Sequence, residues 1–150
     1  MIQNKFHFAI TWKTAPEIIY ENADAKEVFM GLKTWKNSPK WRILKSDTIV
    51  AKNYLQEIDI KKLERSVSWF FDHLETLVEN RTPMKMKDLA EAVDNFLHFN
   101  KYAVLDGKWW ISRQQADEKA FSEYEEFNKT QNIESDFDRL VKEQAKLEKK

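Results

Sequence analysis

Three histidines, His7, His73 and His98, are the side chains of this sequence best suited to acid–base chemistry near neutral pH. No two of them are four residues apart, the helical spacing that zinc proteases use, and the chain has no cysteine. Asp94 and His98 are four apart, and an aspartate that orients a histidine is a common device in acid–base catalysis. Because the same spacing arises by chance on a polar helix face, we favour a surface or interface hydrogen bond. We predict no catalytic residue, no metal and no cofactor.

A basic stretch carries a second candidate chemistry. Residues 28–46 contain five cations and no acid, and two tryptophans lie among the cations. Cations that follow phosphates, beside rings that stack on bases, are typical of a surface for single-stranded nucleic acid. The candidate nucleic-acid-binding residues are Lys33, Trp35, Lys36, Lys40, Trp41, Arg42 and Lys45. In the alternative interpretation both tryptophans belong to the core and the lysine stems cover them, which the net charge of zero favours.

Two further clusters have weaker signals. Trp109 and Trp110 follow Gly107 and are candidate partner-binding residues, since tryptophan is enriched at binding hot spots, although at least one of two such rings is usually buried. The acidic residues near the C-terminus lack the spacing of a calcium loop, so we interpret them as a solvated face. They are Glu123, Glu125, Glu126, Glu134, Asp136 and Asp138.

Composition excludes several classes of protein. The chain has 150 residues, 25 basic and 25 acidic, so bulk electrostatics do not attract it to nucleic acid or to an anionic membrane. The absence of cysteine excludes disulfides and thiolate catalysis, and only two glycines leave no phosphate-binding glycine loop. No apolar run reaches the length of a membrane span and no signal-peptide pattern opens the chain. A cytoplasmic protein with no membrane partner is therefore expected.

The elements that would position these residues are centred on one long helix over residues 58–81. Its apolar residues step alternately by three and four, the spacing of a helix packed against another helix. They are Ile60, Leu63, Val67, Phe70, Leu74 and Leu77. Phe71 and Val78 are expected to widen this stripe toward the core. A helix of this length and hydrophobicity is not stable alone, so other elements must cover it.

The remaining pattern predicts a mainly α-helical bundle that forms one domain over residues 1–150. We expect an extended segment at 5–10, a capped helix after Thr14, a short helix at 26–30, and a loop or small hairpin within 41–50. Residues 51–55 could begin a short helix, and a regular helix is predicted over 86–99. Capping boxes at Ser112 and Ser135 begin two more helices, and the charged tail at 142–150 is expected to fray.

Ordered short motifs resemble the C-terminal half of the virulence-associated RhuM family. They are Gln3-Asn4-Lys5-Phe6-His7-Phe8-Ala9, Glu17-Ile18-Ile19-Tyr20, Met30-Gly31-Leu32, Ala51-Lys52-Asn53-Tyr54-Leu55, Phe96-Leu97 and Glu134-Ser135-Asp136-Phe137-Asp138. The resemblance implies that longer members begin with a segment similar to a helix-turn-helix DNA-binding domain, which this sequence lacks. It also implies a link to pathogenicity islands and mobile elements, and it supplies no catalytic residue. Trp12, Leu89 and the pair Trp109-Trp110 depart from the family pattern.

Three functional hypotheses remain from the sequence. The first is a non-catalytic module that self-associates or binds a protein partner, motivated by the long apolar stripe and the surplus of aromatic residues. The second is nucleic-acid binding through the basic stretch with its tryptophans. The third is an enzyme that uses one of the histidines as an acid or base. The first is preferred because no convergent catalytic set is evident.

Overall fold

A computed structural model describes residues 2–39, 41–80, 83–107 and 110–131, together with Val141 and Gln144. The described chain forms five α-helices: α1 (Ile2–Thr11), α2 (Ala15–Asn22), α3 (Glu57–Glu79), α4 (Met86–Phe99) and α5 (Arg113–Thr130). Short 3₁₀ turns at Val28–Gly31, Lys45–Asp47 and Ala51–Tyr54 lie between α2 and α3. The described part contains no strand, so the predicted mainly helical fold is confirmed. None of its helices combines the length and hydropathy needed to span a bilayer.

The N-terminal segment is a helix and not the extended strand that was expected at residues 5–10. Ile2, Phe6 and Ala9 recur at helical spacing and turn one side of α1 toward the core, where Phe6 and Ala9 are buried. The Phe6 ring lies 5.5 Å from the Phe70 ring of α3. The prediction was wrong because weak alternation in a phenylalanine-rich run is only a slight preference for a strand. Tertiary packing against the helical face overrides that preference.

The predicted helix after Thr14 is confirmed as α2. The Glu17 carboxylate accepts the backbone N–H of Thr14 at 2.8 Å, so one half of the capping box is formed. Pro16 is accommodated in the first turn, where a missing N–H costs no hydrogen bond. Ile18 and Ile19 are fully buried and hold α2 between α5 and the turn at Ala51–Tyr54.

The central helix is α3, two residues shorter at its end than the predicted span, which reached the undescribed Arg81. Leu63 and Phe70 are buried and the remaining stripe residues are half-buried. Phe71 and Val78 do not widen the core as expected, because they are 58% and 68% exposed. Among the described elements, α1 makes the most extensive contacts with α3, and the Phe96 ring centroid of α4 lies 5.4 Å from that of Phe70. The described residues leave part of the stripe uncovered.

The segment between α2 and α3 forms compact turns and no hairpin at 41–50. The buried Asp47 carboxylate accepts the backbone N–H of Leu44 at 2.9 Å, and the Asn53 side chain donates to the Asp47 carbonyl at 2.9 Å. These side-chain-to-backbone bonds compete with strand pairing and close a 3₁₀ turn instead. The short helix expected at 26–30 is likewise reduced to the turn Val28–Gly31, while the one expected from residue 51 is the turn Ala51–Tyr54.

The last two described helices begin where the sequence predicts. α4 has the expected bounds, with Val93 and Leu97 fully buried. Ser112 caps α5 through a reciprocal pair, since its Oγ accepts the Gln115 N–H at 3.2 Å and its own N–H donates to the Gln115 side chain at 2.9 Å. The helix predicted from Ser135 and the tail at 142–150 lie outside the described residues apart from Val141 and Gln144, and the single-domain division stays a prediction.

Candidate functional site

The three histidines do not form a cluster. His7 is buried on α1, whereas His73 on α3 and His98 on α4 are exposed. The Asp94 carboxylate accepts two bonds from Lys5 Nζ, at 2.6 and 2.8 Å, and these tie α4 to α1. Asp94 is therefore occupied by a cation from another helix. Across the described residues, no group of three or more histidine, aspartate or glutamate side chains is arranged to hold a metal ion.

Burial lowers the pKa of His7 below its ordinary value of 6.5, and the hydrogen bond to Gln3 opposes this shift in part. The ring Nδ1–H donates to the Gln3 carbonyl at 2.8 Å, and within the described structure the buried Nε2 has no partner. A proton on Nε2 would be a buried donor without an acceptor, so the folded state favours the neutral ring.

The sign of the resulting pH dependence follows from this lowered pKa. The unfolded chain takes up a proton on His7 as the pH falls through 6.5, whereas the folded chain takes it up only at lower pH. We therefore expect the His7 contribution to stability to be full above about pH 6.5 and to be lost as the pH falls toward the folded-state pKa. Urea unfolding between about pH 5 and pH 8 measures it.

His7→Gln removes the titrating group and keeps a donor for the Gln3 carbonyl. This variant should lose less stability than the wild type between pH 6.5 and pH 5, since the buried ring that the folded state keeps neutral is no longer present. His98→Gln is the matched control, because the His98 ring is exposed. An identical pH dependence in the wild type and in His7→Gln would contradict the burial of a neutral His7.

The structure brings together part of the predicted basic stretch. The Trp35 ring is buried, its Nε1–H donates to the Trp41 carbonyl at 2.7 Å, and its centroid lies 4.9 Å from that of Phe29. Trp41 is half-buried, and Lys40 lies outside the described residues. The exposed cations of the stretch are Lys33, Lys36, Arg42 and Lys45. Lys45 is engaged, because its Nζ lies 3.6 Å from Glu125 and 4.5 Å from the Phe121 ring centroid.

Both tryptophans line a hollow of about 550 Å³ that we call the aromatic pocket. Its remaining aromatic walls are Phe29 and Phe127, and its charged lining residues include Lys26 and Arg42. Sequence reasoning identified Trp35, Trp41 and Arg42 but missed Phe29, Phe127 and Lys26. Only the tertiary fold joins the end of α5 to this loop: the Gln131 side chain accepts the Ile43 N–H at 2.7 Å and donates to its carbonyl at 3.1 Å.

A second hollow of about 920 Å³ runs between α1 and α3, and we call it the apolar groove. Its lining is mainly hydrophobic and comes from three helices and the segment before α3: Ile2 and Phe6 of α1, Val67, Phe70, Phe71 and Leu74 of α3, Leu89 of α4, and Val50 and Lys52. A neighbouring hollow of about 600 Å³ shares Ile2 and Gln3 and adds Met86 and Ala90 of α4. The apolar groove thus continues across the face formed by α1, α3 and α4.

The predicted partner-binding pair can be followed only at Trp110, since Trp109 lies outside the described residues. Trp110 is 91% exposed, and its backbone N–H donates to Glu17 at 3.2 Å. Its ring therefore stands in solvent above the start of α2. The role of this pair in binding a partner stays a prediction.

Comparison with known proteins gives one match. The model of a family described as the virulence protein RhuM family matches residues 1–135, which is most of the chain. No curated protein and no solved structure matches the chain.

Proposed function

This chain belongs to the virulence protein RhuM family, and we propose that it is a non-catalytic interaction module whose apolar groove binds a second copy of the same chain. The observation that supports the proposal is the incomplete cover of α3 by the residues that the structure describes. A long helix normally buries its apolar stripe, yet here Val67 and Leu74 line an open groove and Phe71 is 58% exposed. An exposed apolar face of this kind is typical of a protein-binding surface.

A second copy suits this face because the face contains both a ridge and a groove. The ridge is the outer side of α3 with Phe71 and Val78, and the groove lies beside it against α1. A twofold axis places the ridge of one copy in the groove of the other and buries both at once. The formal net charge is zero, so two copies do not repel each other over long distances.

The size of the face is adequate for a dimer. α1, α3 and α4 have 10, 23 and 14 residues. With a rise of about 1.5 Å per residue and a width of about 10 Å for each helix, the outer sides of the three helices add up to at most about 700 Å². Standard stable interfaces bury roughly 800 Å² on each partner. The face therefore approaches the area of a specific dimer contact.

Charge at the two edges supports the same occupant. Glu64 of α3 borders the apolar groove, and Lys87 of α4 borders the neighbouring hollow. Lys52 lines the groove beside Glu64. A twofold axis along the groove that brings Glu64 of one copy against Lys87 of the other exchanges the present partners of both residues. The exposed pairs that these residues now make, Lys52 with Glu64 at 3.0 Å and Lys87 with Glu91 at 3.8 Å, contribute little stability, so exchanging them costs little.

Phe71→Lys tests the proposal. We expect the full chain to sediment as a dimer at micromolar concentration and Phe71→Lys to raise the dimer dissociation constant about tenfold or more, because a charge replaces a ring that the partner buries. Sedimentation equilibrium over a concentration series measures it. Trp69→Lys is the matched control: Trp69 is also an exposed aromatic residue of α3, at 49%, but it does not line the groove.

Two outcomes oppose the proposal. A wild-type chain that stays monomeric at the highest soluble concentration leaves the groove to another occupant and overturns the assignment of a second copy. A dimer that Trp69→Lys and Phe71→Lys weaken equally has its interface elsewhere. Circular dichroism of both variants checks that α3 remains folded.

A further inference from the structure

We propose that the aromatic pocket binds one unpaired base of a single-stranded nucleic acid, with the adjacent cations on the flanking phosphates. The pocket shares no lining residue with the apolar groove, so this inference stands apart from self-association. A volume of about 550 Å³ lies in the range of small-ligand sites and accommodates a nucleobase with its sugar. We therefore expect the ligand to be a planar group that carries phosphate.

The walls of the aromatic pocket suit a planar ring. Phe29, Trp41 and Phe127 present aromatic surface around the buried Trp35. Every base has a face that stacks on such rings, so the contact tolerates any sequence. The bond from Trp35 to the Trp41 carbonyl links these two walls, and the paired bonds between Gln131 and Ile43 hold the end of α5 against them. The walls are consequently organised before a ligand arrives.

The backbone beside the pocket supplies an independent observation. Phe29 and Met30 have φ of 54° and 48°, in the left-handed region that side chains other than glycine seldom adopt. Such residues persist only where the surrounding structure holds them, and they are concentrated at ligand clamps and other functional sites. Here the unusual backbone places the half-exposed Phe29 ring 4.9 Å from Trp35, as a wall of the pocket.

The charges around the pocket favour a strand over a free nucleotide. Lys26 and Arg42 line the pocket, and Lys33 and Lys36 stand on either side of Trp35 in the chain. All four are exposed and, among the residues that the structure describes, none of them forms an ion pair. Even with Glu27 offsetting one of these charges, the four cations exceed what one phosphate group requires and match a backbone that continues past the bound base. Glu27, also in the lining, can accept a hydrogen bond from a base amino group.

Fluorescence anisotropy with the full chain tests the inference. The probe is a fluorescein-labelled oligothymidylate of about 12 nucleotides, titrated at about 50 mM salt and above. Trp41→Ala removes a stacking wall and should weaken binding about 5- to 150-fold. Trp41→Phe keeps an aromatic face and should retain most of the affinity. Trp69→Ala, which removes an exposed tryptophan of α3, should leave binding unchanged.

Arg42→Gln provides a test that does not disturb the core, because Arg42 is exposed. It should weaken binding and reduce the slope of log affinity against log salt by about 0.7, since one phosphate contact is lost. Arg65→Gln, an equal charge change at an exposed position of α3, should change neither quantity.

Four results would overturn the inference: no binding at low salt, equal effects of Arg42→Gln and Arg65→Gln, equal affinity for duplex DNA, or thymidine monophosphate binding as tightly as the strand. Duplex DNA keeps its bases stacked and cannot insert one without unpairing it. The monophosphate arm separates a nucleotide site from a site for a strand. Phe71→Lys should bind the oligonucleotide like the wild type, which separates the failure of this inference from the failure of self-association.

Discussion

Replacing Gly31 with alanine should destabilise the fold by about 2–5 kcal/mol, the sum of a steric overlap and an unfavourable backbone conformation. Gly31 has φ of +85°, and a Cβ added there would lie 2.0 Å from the carbonyl oxygen of Asn22 at the end of α2. That oxygen belongs to the backbone and cannot rotate away, so α2 and the Val28–Gly31 turn must separate. Urea unfolding measures the change in free energy of unfolding.

Gly107→Ala is the matched control for this prediction. Gly107 also has a positive φ, +92°, but an added Cβ would meet nothing within 4 Å. Only the backbone term then applies, and the loss should be about 1 kcal/mol. Equal losses in the two variants would show that the close approach of the Val28–Gly31 turn to α2 does not exist in solution.

Phe70→Ala should cost about 3–5 kcal/mol, the usual range for deleting a buried phenylalanine. Phe70 packs between α3 and both of its helical neighbours: its ring centroid lies 5.5 Å from that of Phe6 on α1 and 5.4 Å from that of Phe96 on α4. Thermal and urea unfolding of the variant measure the loss.

Phe99→Ala serves as the reference for Phe70→Ala. Phe99 ends α4 and is 87% exposed, so its removal should change stability by less than about 0.5 kcal/mol. If Phe70→Ala lowered the free energy of unfolding as little as Phe99→Ala does, α3 would not pack on α1 and α4 through this ring. The position of the apolar groove would then be wrong.

Helices that begin at a local signal were predictable from the sequence. Thr14, Ser112 and the apolar period of α4 act within one or two turns of chain, so the pattern places those helices without knowledge of the fold. The apolar period of α3 is equally local, and its span was predicted within two residues. Which side of α3 is covered depends on where α1 and α4 pack, and the local pattern does not contain that information. Phe71 and Val78 were therefore wrongly assigned to the core.

Features that depend on distant residues could not be read from the pattern. The N-terminal segment becomes α1 because Phe70 and Asp94 provide partners for it, and both lie far along the chain. The 41–50 segment becomes a turn through the Asp47 carboxylate, a bond that alternation of residue types does not reveal. Three lining residues of the aromatic pocket, Trp35, Trp41 and Arg42, were binding candidates from the sequence because they are neighbours in it. Phe127 reaches the pocket only through the packing of α5 on α2.

The tie between Lys5 and Asp94 has a consequence for biosynthesis. The two residues are separated by 89 positions, so at about 5–20 residues per second the ribosome adds Asp94 roughly 4–18 s after Lys5. Ile2, Phe6 and Ala9 lack the far end of α3 until residue 79 has been added, and they lack a complete α4 throughout that interval. The nascent chain therefore exposes an amphipathic segment that chaperones can bind until much of the polypeptide has been synthesised. A pause in translation before residue 94 prolongs that exposure.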